Sequence, residues 1–435
     1  MSKDITRMKR RFILLDHSIE DSTGHYLEYA KRVLRAAKLE GFETILAVNK
    51  RAGVITCPEA DILDKAFLRG FWENQAQSYG KLALGLITKS SRIAGDPDFS
   101  HQYAKELQAL FLRVEATTDD LVFVPTLGGT ELIGIALYSR FKDAQALKWH
   151  LLFRRDLPTP NSLLDVKALL NFARVRTAFL EADKQFKKGS YSYYTDTEEL
   201  TTRYNKLGFG SFTTLPIPID ETLNIKKQKH QPPFVISYLG DAREEKGFHL
   251  LPDLISALRS AGFDEKRVRF RVQANLPLCG STSKAVRAKA KLTNYQHAGV
   301  EILDGPFDSE TYHQIILASD VILIPYSPRS YAARSSGIFA EALAAGVPTV
   351  YPEGSWMAKS QVRSGSLGFK KVADVPSVLA RILSSYPEFE SLSIAHSHEW
   401  RNKHSAQNLV CRLAGDIPAR KFGLTEFLET TDGSL

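Results

Sequence analysis

Ser319–Pro352 reads SDVILIPYSPRSYAARSSGIFAEALAAGVPTVYP. Its short apolar run, Val321–Ile324, predicts a buried strand, and the polar loop after it leads to Ser335-Ser336-Gly337, which opens a helix expected over Ile338–Ala345. Thr349–Tyr351 then predicts the next strand. Strand, loop, helix and strand in this order form the unit of a parallel α/β sheet, and the loop falls at the carboxyl end of its strand.

The same alternation extends outward from this stretch. Downstream of a Pro-containing charged segment, Phe234–Leu239, Arg269–Gln273 and Val300–Leu303 predict strands. Helices are expected near Phe248–Ala261, Ser283–Leu292 and Ser309–Leu317, with a last helical stretch over about Ile394–Leu413. In the other half, strands are expected at Arg11–Asp16, Glu43–Val48, Leu121–Pro125, Leu147–Phe153 and Ser192–Thr195. Helices are expected at His25–Leu39, where Leu27, Ala30, Val33, Leu34 and Ala37 recur at helical spacing, and at Glu131–Phe141 and Leu164–Leu180. Lys226–Pro233 (KKQKHQPP) interrupts the rhythm with charge and two prolines, so it reads as a linker. The division expected is a first domain over 1–225, a linker over 226–233, a second domain over 234–393 and a helical segment over 394–435 that crosses back to the first.

Bulk properties agree with two soluble α/β domains. The chain has 435 residues, 43% hydrophobic and 24% charged, long enough for a sizeable core in each half. A formal net charge of +8 favours anionic partners without choosing among them. Its three cysteines, Cys57, Cys279 and Cys411, lie far apart without a CxxC pair, giving neither a disulfide framework nor a zinc site. No apolar stretch approaches the roughly 18 residues that span a bilayer, and no signal-peptide pattern follows Met1–Arg11. A cytoplasmic protein, or one peripheral at the inner face of a membrane, is expected. The basic residues are scattered without an aromatic-rich recognition motif, which argues against nucleic acid.

Two loops carry the chemistry. At Ser335-Ser336-Gly337-Ile338, free backbone N–H groups and the helix dipole favour a diphosphate, and Glu341, one turn in, is placed to accept ribose hydroxyls. The same serines could equally cap the helix. In Tyr238–Gly247 (YLGDAREEKG), Arg243 has the forked geometry for phosphate oxygens and Lys246 adds a point charge, with Gly240 and Gly247 freeing the backbone on either side. A surface salt-bridge cluster is the competing reading of these charges.

Taken as an ordered set, these segments resemble the donor domain of GT-B glycosyltransferases of the family 4 type. The resemblance rests on GDAREEKG, on Ala318-Ser319-Asp320-Val321 with Ile324-Pro325, and on Gly337 followed by Glu341-Ala342-Leu343-Ala344-Ala345-Gly346-Val347-Pro348. It covers Phe234 to about Val350 well and the first half loosely. It implies two Rossmann-like domains facing across a cleft, and a nucleotide-diphosphate sugar as co-substrate with no cofactor and no metal. Donor contacts would come from Gly240, Arg243, Lys246, Tyr331, Arg334, Ser335, Ser336, Gly337, Ile338 and Glu341. One departure stands out: the family's first glutamate is replaced here by Ala333, which leaves Arg334 or Tyr331 to hold the sugar.

On the acceptor side, Ser22-Thr23-Gly24-His25 is similar to the family's glycine-rich loop, so Thr23, Gly24 and His25 become candidates. Leu127-Gly128-Gly129-Thr130 is either a second anion or acceptor contact, through Gly128 and Gly129, or a tight turn. At Leu152–Asp156 (LFRRD) Asp156 matches the family's strand-end aspartate, while Arg155 stands in place of its histidine. An arginine is no base at neutral pH but stabilises developing negative charge. Catalysis is therefore assigned to Arg243, Lys246, His25, Asp156 and Arg155. If configuration is retained, the departing phosphate oxygen takes the acceptor's proton; if it is inverted, Asp16, His17, His25 or Asp156 serves as base.

Other features read as structural. Asp96-Pro97-Asp98 spells a DxD but follows no buried strand and is expected in a loop; His396, His398 and His404 lack metal spacing. Phe67, Leu68, Phe71 and Trp72 recur at helical spacing, as core or, if exposed, as a surface for a membrane or a lipid-linked acceptor. Lys31, Arg32, Arg35 and Lys38 read as a solvated helix face. The expected activity is sugar transfer to a saccharide or lipid-linked acceptor in polysaccharide or glycoconjugate assembly. Alternatives are a nucleotide-sugar epimerase or phosphorylase of the same fold, and a non-catalytic binding scaffold.

Overall fold

A computed structural model of the chain describes residues 10–21, 25–71, 97–141, 144, 146–156, 166–187, 189–225, 231–276, 282–296, 299–360 and 364–415. Thr23 and Gly24 of the proposed acceptor loop, Trp72, Asp96 and Cys279 lie outside the described residues.

Two parallel sheets organise the molecule. The first contains β1 (Arg11–Leu15), β2 (Glu43–Asn49), β3 (Ile62–Phe67), β4 (Leu121–Val124), β5 (Lys148–Phe153), β6 (Tyr191–Thr195) and β7 (Phe212–Thr214), in the order β3-β2-β1-β4-β5-β6-β7. The second contains β8 (Phe234–Tyr238), β9 (Val268–Gln273), β10 (Val300–Leu303), β11 (Val321–Leu323), β12 (Thr349–Pro352) and β13 (Leu367–Phe369), in the order β10-β9-β8-β11-β12-β13. The central strands are buried almost throughout, Arg11 at the start of β1 and Val235 in β8 being half-buried, as near-continuous apolar runs covered on both faces must be. Each sheet reverses its winding at one place, between β1 and β4 and between β8 and β11. Crevices at the carboxyl ends of those strands are where such sheets bind ligands.

Helices α1 (His25–Leu39), α2 (Pro97–Arg113), α3 (Gly129–Tyr138), α4 (Val166–Gln185) and α5 (Glu198–Lys206) belong with the first sheet. Helices α6 (Leu251–Ser260), α7 (Ser283–Thr293), α8 (Ser309–Leu317), α9 (Gly337–Ala344), α10 (Trp356–Lys359), α11 (Val375–Ser384) and α12 (Tyr386–Lys403) belong with the second. The final helix, α13 (Ala406–Ala414), returns to α1: Ala406, Leu409, Val410 and Leu413 share a buried apolar cluster with Leu27, Ala30, Val33 and Leu34. Ile217, Ile219 and Leu223, by contrast, are buried in the core of the second sheet.

The structure corrects several sequence expectations. Pro97 and Asp98 start α2 instead of lying in a loop, because proline is pre-shaped for a first turn and an aspartate there complements the dipole. Phe67 closes a strand, not a helix; Phe67 and Phe71 are buried, which removes them from any membrane surface, while Leu68 is exposed. The single helix expected over Ile394–Leu413 is broken at His404–Ser405, where the Ser405 side chain accepts a hydrogen bond from Asn408 N–H and caps α13. Among the described residues, no helix is long and apolar enough to cross a membrane.

Candidate functional site

The loop after β8 and the loop after β11 meet at Gly247. This glycine has φ +72°, and a Cβ on it would lie 1.9 Å from the Pro325 carbonyl oxygen, so only glycine lets the two backbones approach. Close by, Ser327 N–H donates to the Glu245 carbonyl at 2.9 Å. Glu244–Lys246 forms one 3-10 turn, which points Lys246 back over the strand ends. Its ammonium is 6.0 Å from the Tyr326 ring and about where a Cβ on Gly240 would contact it, at 3.0 Å. Burial pushes Lys246 below the ordinary lysine range; Asp241 opposes this, while Arg243 and Arg334 push the same way. Arg243 is held 2.8 Å from Asp241, and Arg334 lies 3.9 Å from Glu245 and over the Tyr331 ring. Tyr331 is buried, its hydroxyl pushed up to about 12 by that burial.

Tyr326 connects this cation loop to α9. Its hydroxyl lies close to the Ser336 side chain, which accepts from Phe339 N–H at 3.4 Å and so caps the helix. Gly337 and Ile338 follow as the first helical residues, and a Cβ on Gly337 would meet nothing within 4 Å. No neighbouring protein therefore requires this glycine, whose backbone faces open space. Arg243, Lys246, Ser336 and Gly337 thus lie at one end of the second sheet, around Tyr326.

The first domain closes over this end. His25, exposed at the start of α1, has a pKa pushed down to about 4, first by the crowding of protein around it and then by Arg154, Lys246 and Arg243, with Asp241 opposing. Ser335 Oγ donates across the gap to Asp196 Oδ2 at 2.6 Å, and Thr197 Oγ1 donates to the Ala333 carbonyl at 2.6 Å. Ala333 is wholly buried among first-domain apolar residues. Glu341 faces Arg32 of α1, Nη2 to Oε1 3.3 Å, and the same guanidinium reaches Asp220 at 3.5 Å and the Pro218 carbonyl at 3.3 Å. Arg32 is thus not part of a solvated face.

The other acceptor-side candidates divide. Arg155 lies against the Phe71 ring at 4.3 Å, its pKa lowered by burial and by Arg334 and Arg243, with Tyr26 and Glu131 opposing. Asp156 is ion-paired with Arg203. The Gly128 N–H donates to Glu131 Oε2 at 2.8 Å in a capping box, so Gly128 and Gly129 form a capped helix start. Glu131 is buried beside His17, Nε2 to Oε1 3.3 Å; burial acts to raise its pKa, but the adjacent His17 ring and the Gly128 N–H hydrogen bond prevail and hold it low. Asp16, buried at the end of β1, is raised by desolvation despite accepting from Ser18 N–H and Thr126 Oγ1.

Sequence reasoning gave no role to Arg32, Tyr29, Arg154 or Asp196. Asp196 directly follows the expected strand Ser192–Thr195, the position at which such sheets place functional side chains, and that was the available signal. Among the described residues, no group of three or more His, Cys, Asp or Glu could hold a metal ion.

No family model matches the chain, and no curated protein sequence does. Solved structures are similar over nearly its whole length. A sucrose-phosphate synthase from Thermosynechococcus elongatus superposes with TM-score 0.65 at 13% identity, covering 94% of this chain and 98% of that one. Trehalose-6-phosphate synthase OtsA gives TM-score 0.65 at 12% identity, covering 93% and 98%. The Anabaena protein HepE, in complex with UDP and glucose, gives 0.61 at 12% identity, covering 94% and 100%. At such identities the likeness concerns architecture, and the architecture is that of the GT-B fold: two parallel-sheet α/β domains facing each other.

Proposed function

We propose that this chain transfers a sugar from a nucleotide-diphosphate sugar to a saccharide or lipid-linked acceptor, with the second domain holding the donor. The observation that carries this reading is the gathering of Arg243, Lys246 and the start of α9 around Tyr326, opposite His25 and Arg155 of the first domain. Breaking the bond from the anomeric carbon to the diphosphate leaves negative charge on the departing phosphate oxygen. Side-chain cations and preorganised amides near Gly337 and Ile338 meet that charge in a cleft from which closure excludes water. The solved relatives in this fold include one bound to UDP and glucose and one bound to UDP-glucose, which supports a nucleotide-sugar donor.

Retention of configuration fits these residues better than inversion. Asp156 is engaged by Arg203, Asp16 is enclosed by Ser18 and Thr126, and His17 is wholly buried beside Glu131. His25, at about 4, is a weak base at neutral pH. With no well-matched base, the departing phosphate oxygen takes the acceptor's proton. A binding scaffold is the second reading, favoured by the burial of Ala333 where the family has a carboxylate.

Purified protein assayed with UDP-, GDP- and dTDP-sugars should consume one of them slowly even without acceptor. Arg243→Ala should then lower kcat/KM about 100-fold. Its stability should change by less than about 1 kcal/mol, because the Arg243–Asp241 pair is exposed to solvent. Binding without turnover would establish the scaffold; unchanged turnover in the variant would remove Arg243 from the diphosphate.

A further inference from the structure

Among the described residues, two buried polar atoms beside the donor loop have no hydrogen-bond partner, Asp196 Oδ1 and Tyr29 Oη. Asp196 is 4% exposed and Tyr29 8% exposed. Leaving such atoms unsatisfied costs about 1–3 kcal/mol each, a cost that a polar ligand bound between them would remove. They share one neighbour: Arg154 donates from Nε to Asp196 Oδ2 at 3.3 Å and lies over the Tyr29 ring at 5.0 Å. Asp196 Oδ2 also accepts from Ser335 Oγ, two residues past Ala333. The next residue, Thr197, holds the Ala333 carbonyl.

The carboxylate missing from residue 333 is therefore matched by one arriving from the other domain. We propose that Asp196, assisted by the Tyr29 hydroxyl, binds hydroxyl groups of the transferred sugar from across the cleft. An ionised carboxylate accepts from sugar hydroxyls, a tyrosine hydroxyl both donates and accepts, and Arg154 fixes the carboxylate's orientation. Solvent reaches neither orphaned atom in this form, so the sugar enters as the domains part at the Ser335–Asp196 contact. This inference rests on the donor reading above and deepens it.

The test compares UDP with UDP-glucose, GDP with GDP-mannose and dTDP with dTDP-glucose, by calorimetry on the full chain. For whichever pair binds, Asp196→Asn should weaken the nucleotide sugar about 10-fold relative to the parent protein while leaving the nucleoside diphosphate within about 2-fold. Thr197→Val loosens the same interdomain contact without touching the carboxylate; it should lower the melting temperature and leave the gap between sugar and diphosphate affinities unchanged. Equal losses for diphosphate and sugar in Asp196→Asn, or the same pattern in Thr197→Val, would make Asp196 a domain brace and overturn the proposal. An Asp196→Asn variant that instead affects only saturation by a saccharide acceptor would move the site to the acceptor and overturn the assignment to the transferred sugar. If none of the three diphosphates binds the parent protein, the donor reading itself fails, a result distinct from the selective ones.

Discussion

Gly247 shows how one residue without a side chain decides where two cations go. Left-handed backbone costs a non-glycine residue about 1–2 kcal/mol, and here a Cβ would also displace the Pro325 carbonyl. Gly247→Ala should thus lose more than about 2 kcal/mol in chemical denaturation. It should also weaken nucleoside diphosphate binding, because Lys246 hangs on the displaced turn. A loss under about 0.5 kcal/mol would show that the two loops are not interlocked. Gly337 is the contrasting case, since open space surrounds it and its absent side chain serves whatever enters. Motif spacing makes both glycines visible, but spacing says nothing about Arg32, whose three partners lie on Pro218, Asp220 and Glu341. A guanidinium on a polar helix face looks solvated until the other domain is placed against it.

Elements with strong periodicity and a chemical stop are legible from sequence. α8 occupies Ser309–Leu317 as expected, begun by Asp308, whose carboxylate accepts from Thr311 N–H. α1 likewise occupies His25–Leu39, its apolar residues at helical spacing all inward. The short strand β7 and helix α5 escape notice because three strand residues carry too little alternation and α5 buries only Leu200 and Tyr204. The break between α12 and α13 escapes because its cause is tertiary: His404 Nδ1 accepts from Ile217 N–H at 3.0 Å, and its carbonyl accepts from Ile219 N–H at 3.1 Å. Burial, aided by Lys403 and Arg412, pushes the His404 pKa down to about 3. In the unfolded chain it titrates near 6.5, so the unfolded state binds the extra proton first. Stability present above about pH 6.5 is lost as pH falls toward 3, by at most about 1.4 kcal/mol per unit. His404→Gln should flatten that slope between pH 6.5 and 5, as read from urea midpoints. An unchanged slope would show that His404 is not neutral in the fold.

At the scale of the molecule, the ion pair between α1 and α9 joins the halves. Arg32 and Glu341 are each about 15% exposed or less, so removing one partner leaves a largely desolvated charge. Arg32→Ala should cost about 2–3 kcal/mol and enlarge the radius of gyration seen by X-ray scattering. It should also lower the affinity for a nucleoside diphosphate several-fold, since Glu341 loses its support. An unaltered scattering profile with full affinity would reduce the pair to a crystal-like surface contact. The fold class emerges from sequence because strand–helix alternation repeats in each half. The apposition of the halves does not, because contacts such as Ser335–Asp196 and Thr197–Ala333 join residues well over a hundred positions apart and leave no local trace.

The backbone passes between the domains at 215–217 and again at 403–406, and these two passages are laced together by His404, with Arg401 Nη1 donating to the Leu223 carbonyl at 2.6 Å. Two cords tied side by side behave as a door hinge, whereas a single cord behaves as a swivel. Any relative motion of the halves would thereby be a swing about one line, which returns Ser335 to the same address.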